Sequence, residues 1–177
     1  MIQGKSLILR AIEPYDIELL YEWENDMKLW RVSNTLTPFS KYQLEQYIKA
    51  SKLDIYQTRQ LRLMIDTISE DDNLKETVGI IDMFDFEPYH NRAGLGIMIH
   101  EKHRNKGLAS RALQLFIDYA THQLGIRNFY CNVESDNEIS LKMLTALGFK
   151  HIGTKKEWLR TKNGYKDELM FQLIPYS

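Results

Sequence analysis

The chain has 177 residues, 44% hydrophobic and 27% charged, with a formal net charge of −1 at neutral pH. That length suits one domain around one core, expected to span residues 1–177, and the balanced charge leaves no basic surplus of the kind that binds nucleic acid in bulk. No apolar run approaches the ~20 residues needed to cross a bilayer, and the first ten residues lack the apolar centre of a secretory signal, so the expectation is a cytoplasmic protein with no membrane partner.

Residues 5–12 alternate, with Leu7, Leu9 and Ala11 on one face and Ile8 and Arg10 on the other, as a half-buried strand requires. Pro14 suits the first turn of a helix, and Tyr15, Leu19 and Trp23 follow at helical spacing as its inward face. Ser40 and Gln43 have capping-box spacing ahead of Leu44, Tyr47 and Ile48, which starts a second helix at Ser40. Residues 61–68 read as a strand, 69–73 as a turn, and 77–84 as the antiparallel partner strand. Another strand covers 93–99. Beyond a charged loop, Leu108, Ala109, Ala112, Leu113, Phe116 and Ala120 mark the buried stripe of a long helix. Residues 128–134 form the next strand and 138–147 a short helix stopped by Gly148. Two closing strands flank Lys162, Asn163, Gly164 and Tyr165, where Asn-Gly predicts a tight turn. Antiparallel hairpins with one strand–helix–strand crossover predict an α+β layered domain, not a doubly wound one.

The most informative stretch is Arg104-Asn105-Lys106-Gly107-Leu108-Ala109, between a strand and a helix start. A turn freed of side-chain bulk by Gly107 and Ala109 presents backbone N–H groups at a helix N-terminus, which attracts the pyrophosphate of a nucleotide cofactor. Arg104 and Lys106 add positive charge, although a solvated charged loop has the same composition. A dinucleotide fingerprint is not met, because Ile99 stands where Gly94 and Gly96 would need a third glycine, and no Gly-Lys-Ser/Thr occurs. The stretch resembles the R/Q-x-x-G-x-G/A element of the GNAT N-acetyltransferase superfamily. Asp136-Asn137-Glu138-Ile139-Ser140, followed by Ala146-Leu147-Gly148-Phe149, is similar to that family's second conserved region. Trp30-Arg31, Trp158, Asn163-Gly164-Tyr165 and Asp167 resemble the branch containing polyamine (spermidine/spermine) and ribosomal-protein N-terminal acetyltransferases.

The resemblance implies a mixed, mostly antiparallel sheet flanked by helices, in which two parallel strands, here 93–99 and 128–134, splay apart to admit acetyl-CoA. It implies that backbone groups of Ile97, Met98 and Ile99 hold the thioester, one N–H stabilising the oxyanion. Cofactor contacts are likewise expected from Arg104, Asn105, Lys106, Gly107, Leu108, Ala109, Ser110, Asn132, Asn137 and Ser140. The acceptor it implies is a primary amine, first a polyamine such as spermidine or spermine and alternatively a protein N-terminus. Relatives often pair through their sheets, so a homodimer is expected, with Phe171 and Tyr176 among the aromatics that could meet.

Three functional positions of the family are altered. The Tyr seven residues after the Asn, which serves the sulfur in many members, is Leu144; the carboxylate five before the Asn is Asn132; and the strand carboxylate of polyamine enzymes is Gly94. A non-catalytic acetyl-CoA-binding module is therefore the competing class. Transfer needs a neutral amine, and a Lys-like amine has a pKa of about 10, so a proton acceptor is required. Glu134, on one strand face with Asn132 and Tyr130, and Ser140, one turn after Asn137, are the candidate catalytic residues. A tyrosine restored at 144 is expected not to reduce activity. Cys131, the one cysteine, alternates with Phe129 and Val133 and reads as a buried hydrophobe, not a nucleophile. His90, His100, His103, His122 and His151 show no ligand spacing with carboxylates, so no metal is expected. Glu13, Asp16, Glu18, Glu22, Glu24 and Asp26 lie in a segment without a basic residue, which would draw a cationic acceptor or else simply face solvent.

Overall fold

In a computed structural model, which describes residues 1–33, 35–68 and 75–175 (the backbone alone at 31 and 32), eight strands form one sheet. They are β1 (Ile2–Gln3), β2 (Leu7–Ala11), β3 (Leu61–Ile68), β4 (Lys75–Glu87), β5 (Arg92–Ile99), β6 (Asn128–Glu134), β7 (Lys150–Thr161) and β8 (Gly164–Leu173). Their spatial order is β1-β2-β3-β4-β5-β6-β8-β7, and every neighbouring pair is antiparallel except β5–β6. The helices are α1 (Ile17–Glu24), α2 (Met27–Ser33), α3 (Lys41–Ala50), α4 (Ile55–Thr58), α5 (Leu108–Leu124) and α6 (Glu138–Ala146). This is the α+β mixed sheet that the element order predicts. The expected turn at 69–73 and Tyr176 lie outside the described residues, as does the side chain of Arg31.

Alternation along the strands makes two cores, one on each face of the sheet. On one face Leu9, Ile65, Ile81, Met83, Ala93, Leu95, Phe129 and Cys131 pack against Leu108, Ala112, Leu113, Phe116, Ile117 and Ala120 of α5. Five of the six stripe residues predicted for α5 are buried, while Ala109 is partly exposed. On the other face Met64, Ile80 and Ile12 pack against Leu20 and Trp23 of α1 and Leu44 of α3. Ser40 caps α3 as expected, accepting from Gln43 N–H while the Gln43 side chain accepts from Ser40 N–H.

The early region departs from expectation. Among the described residues four helices, not two, precede β3; Trp23 is buried and Leu19 half-buried on the inward face of α1 as expected, with Leu20 beside them, whereas Tyr15 is 70% exposed. The reason is electrostatic. Asp16 is 1% exposed, turned in towards Arg10, whose Nη1 and Nη2 donate to its two oxygens at 2.7 and 2.8 Å. Arg10 Nε donates to the equally buried Asp66 at 2.7 Å, and Thr77 Oγ1 donates to the other Asp66 oxygen at 2.8 Å. With Glu13 N–H also donating to Asp16, this network ties the start of α1 to β2, β3 and β4. The closing hairpin also differs in detail: Thr161 pairs with Gly164, so the two loop residues are Lys162 and Asn163, with Gly164 at φ +119° just beyond.

Candidate active site

β5 and β6 pair only at Arg92–Asn128, Ala93–Phe129 and Gly94–Tyr130, although β5 runs on to Ile99 and β6 to Glu134. Beyond Gly94 and Tyr130 the strands part, and Gly96, Ile97 and Met98 become half-buried where Ala93, Gly94 and Leu95 are buried. His100 N–H donates to Val78 O at 2.9 Å, so the even-numbered residues of β5 turn their peptide groups to β4 and the odd-numbered ones turn theirs to the gap. Leu95 N–H meets the Cys131 sulfur and Ile99 O accepts from Arg104 Nε at 2.8 Å. Ile97 is thus the residue whose backbone faces the gap between two already engaged neighbours. Met98 spends its peptide groups on β4 and packs its side chain into the second core, so strand geometry turns it away from the thioester position given to it above.

The loop after β5 leads to the N-terminus of α5. Asn105 and Gly107 both adopt left-handed backbone, φ +63° and +68°, and a Cβ built on Gly107 would meet no atom within 4 Å. No side chain caps α5, whose first intrahelical bond runs from Arg111 N–H to Gly107 O at 3.2 Å. Leu108, Ala109 and Ser110 therefore present N–H groups with no acceptor in the helix, a concavity suited to phosphate oxygens. Arg104, Asn105, Lys106 and Gly107 are exposed around it; Arg104 also fastens the loop to Ile99, and Arg111 Nη2 braces it through Lys106 O at 3.2 Å.

Across the gap, Asn132 is exposed between Tyr130 and Glu134 on the β6 face that points away from α5. Glu134 does not stand out in solvent: its side chain is 10% exposed, with the Lys166 ammonium 3.8 Å from Oε2. Opposite it on β8 is Glu168, which accepts from Lys155 Nζ at 2.7 Å. Asn137 caps α6, its Oδ1 accepting from Ser140 N–H at 3.2 Å. Ser140 is half-buried in that first turn, so the structure brings Asn132, Glu134, Asn137 and Ser140 to the open end of the gap.

Leu144 is 2% exposed and belongs to the main core. A tyrosine there would displace packed side chains, so Leu144→Tyr carries a stability cost that the expectation about activity leaves out. The substitution should cost about 1–3 kcal/mol in chemical denaturation; an unchanged midpoint would show that the phenol escapes into the gap. Cys131 is buried as expected, and burial pushes its thiol up to about 12. The native protein should therefore resist a disulfide reagent at pH 8 and release one equivalent of thiol only in denaturant; rapid native labelling would contradict this burial.

The acidic segment before α2 is largely committed. Asp16 is bound to Arg10, Glu18 Oε1 lies 2.7 Å from Lys41 Nζ, Asp26 accepts from Lys28 N–H, and Glu24 pairs with Arg62. Arg62 Nε also donates to Asp82 at 2.7 Å, and its guanidinium lies 5.1 Å from the centre of the Tyr47 ring. That cluster joins α1 and α3 to β3 and β4, and it places Asp82 opposite Gly96 at the gap. Sequence reasoning missed it because its partners are far apart in the chain; the only trace is charge in strands, at Arg62 and Asp82. Among the described residues no group of three or more His, Cys, Asp or Glu side chains could hold a metal ion, and no helix is long and apolar enough to cross a membrane.

Residues 6–150 match the family described as Acetyltransferase (GNAT) domain. Among curated proteins, the chain is 28% identical to the uncharacterized N-acetyltransferase p20 of Bacillus licheniformis, over 96% of this chain and 93% of that one. It is 24% identical to a spermidine N(1)-acetyltransferase of Escherichia coli (strain K12), over 84% of this chain and 75% of that one. Among solved structures, spermidine N-acetyltransferase from Vibrio cholerae in complex with CoA and spermine shares the fold, with a TM-score of 0.84 at 21% identity over 97% of this chain and 96% of that one.

Proposed function

The chain belongs to the GNAT acetyltransferase family and is an acetyl-CoA-dependent N-acetyltransferase; from that premise we propose that its acceptor is a primary amine of a polyamine such as spermidine or spermine. The observation that carries this reading is the carboxylate-bearing face beside the gap. Asp82, Asp85, Glu134 and Glu168 lie on β4, β6 and β8 around it; Asp82 is paired with Arg62, Glu168 with Lys155 and Glu134 with Lys166, while Asp85 accepts from the neutral Tyr130 hydroxyl and has no ion pair among the described residues. The net charge left on the face is that of the exposed Asp85 carboxylate, and opposite charge there attracts a cationic amine. The spermidine acetyltransferases among its relatives point the same way.

The residues present fit acetyl-CoA. The unclaimed N–H groups of Leu108, Ala109 and Ser110 would hold its phosphates, with Arg104, Asn105, Lys106 and Gly107 around them, and Ile97 would hold the acyl end, with Ile99 beside it. Asn132, Asn137 and Ser140 would line the other wall. When bound, acetyl-CoA supplies the acyl group as a thioester. The chain's own task is to aim a donor, Ile97 N–H, at the carbonyl oxygen and to take a proton from the incoming ammonium group. We assign the proton to Glu134, with Ser140 in the first turn of α6 as the second candidate for a relay. Because the positioning groups are backbone, loss of the family's tyrosine at Leu144 does not dismantle them.

Free-thiol release from acetyl-CoA, measured across polyamines, monoamines, amino acids, aminoglycosides and N-terminal peptides, tests the acceptor. Turnover highest with spermidine or spermine is expected. Turnover confined to peptides would replace this reading with a protein N-terminal acetyltransferase. Stabilisation by acetyl-CoA with no turnover on any amine would support a binding module instead.

A further inference from the structure

We propose that Asp85, held in place by Tyr130, receives a charged amino group of the acceptor and sets the preference for a polycation over a monoamine; this rests on the polyamine reading above. Tyr130 is the last residue of β6 paired to β5, so it stands at the closed end of the gap. Its neighbours Phe129 and Cys131 fill the α5 core, which places the phenol on the opposite face. Beside it Gly94 carries no side chain, and a Cβ there would come within 2.3 Å of the Phe84 ring. Phe84 therefore occupies the space above Gly94, and its ring meets Tyr130 edge-on at 5.8 Å and 87°. That contact fixes the phenol, and Tyr130 Oη donates to Asp85 Oδ2 at 2.9 Å.

The backbone also sets the direction of the Asp85 side chain. Asp85 has φ +49° in the bulge where the β4–β5 register breaks between Phe84 and Glu87. Aspartate, like asparagine, adopts left-handed backbone at little cost, and the bulge turns its side chain out of the strand's alternation to meet Tyr130. Asp85 is solvent-exposed, so it can meet a cation from solution at small desolvation cost. Burial first, and then the bond to Asp85, push the Tyr130 phenol up to about 12, with Arg92 acting weakly the other way. At neutral pH the phenol is a donor that orients the carboxylate and is not itself a base. No ion pair joins Arg92 to Asp85 among the described residues.

The test compares kcat/KM for spermidine and for hexylamine in the wild type, Asp85→Asn and Tyr130→Phe, with KM for acetyl-CoA and the thermal midpoint as controls. Asparagine tolerates left-handed backbone, so the first variant keeps its fold. Asp85→Asn should lower kcat/KM for spermidine by roughly tenfold or more through KM, leaving hexylamine and acetyl-CoA within about twofold. Tyr130→Phe should give a smaller loss in the same direction. An unchanged spermidine preference in Asp85→Asn, or an equal loss on both amines, would overturn the role of Asp85 while leaving the polyamine reading intact. A wild type with no preference for spermidine would overturn both.

Discussion

Gly107→Glu is expected to weaken acetyl-CoA binding at least about a hundredfold, equivalent to about 2.7 kcal/mol, in a protein that remains folded. The structure supplies the reason that the change acts on the ligand and not on the core. Space around the position is open within 4 Å, so the new side chain meets no protein atom at its Cβ. The carboxylate is instead set beside the N–H groups of Leu108, Ala109 and Ser110, where phosphate oxygens are to sit, and like charges repel most strongly at such short range. Backbone strain at φ +68° adds a cost of about 1–2 kcal/mol that Gly107→Asn would largely avoid. Calorimetric titration of acetyl-CoA into both variants separates the two effects: Gly107→Asn should retain most of the affinity. Native-like affinity in folded Gly107→Glu would remove the phosphates from this loop.

Asp16→Ala is expected to cost about 3–5 kcal/mol in stability, the range for breaking a buried ion pair by removing one partner. The Arg10 guanidinium would keep Asp66, Thr77 and Ala11 O, while the two bonds at 2.7 and 2.8 Å and the support of Glu13 N–H would vanish. Urea unfolding with an unchanged slope would report the loss directly. A change below about 1 kcal/mol would mean that water replaces the carboxylate. The same variant should alter turnover less than stability, because the network anchors the base of α1 and lies apart from the gap.

Where the sequence was legible, the signal was local. Ser40 and Gln43 announce the start of α3 from four adjacent residues, and alternation in residues 61–68 delimits β3 as Leu61–Ile68. The stripe of α5 follows from one helix's own period. On the first helix, spacing identifies Trp23 and Leu19 but wrongly adds Tyr15, because Asp16 is buried by Arg10, which Asp66 holds from 56 residues away. Asp85 gave no sign for a similar reason: in a run of strand-forming residues the bulge that aims it appears only once β4 and β5 are in register. The loop proposed for phosphate shows in the sequence as a tendency at Gly107; its place beside a parting of strands is what the family resemblance implies. Ile97 became distinct from Met98 only through the direction of one bond, His100 N–H to Val78 O.

The short seam between β5 and β6 also shapes how the molecule comes apart. Three residue pairs join a five-stranded part, β1 to β5, to a three-stranded part, β6 to β8, and most of the remaining attachment runs through side chains packed on α5. Such a weak line divides a domain into cooperative units with their own opening free energies. A ligand bonded to both margins of the gap would stitch these units and is expected to raise the cooperativity of unfolding as well as the midpoint. The enzyme without its donor is then expected to be the less cooperative of its two forms, because a strand edge is left bare in the middle of the sheet.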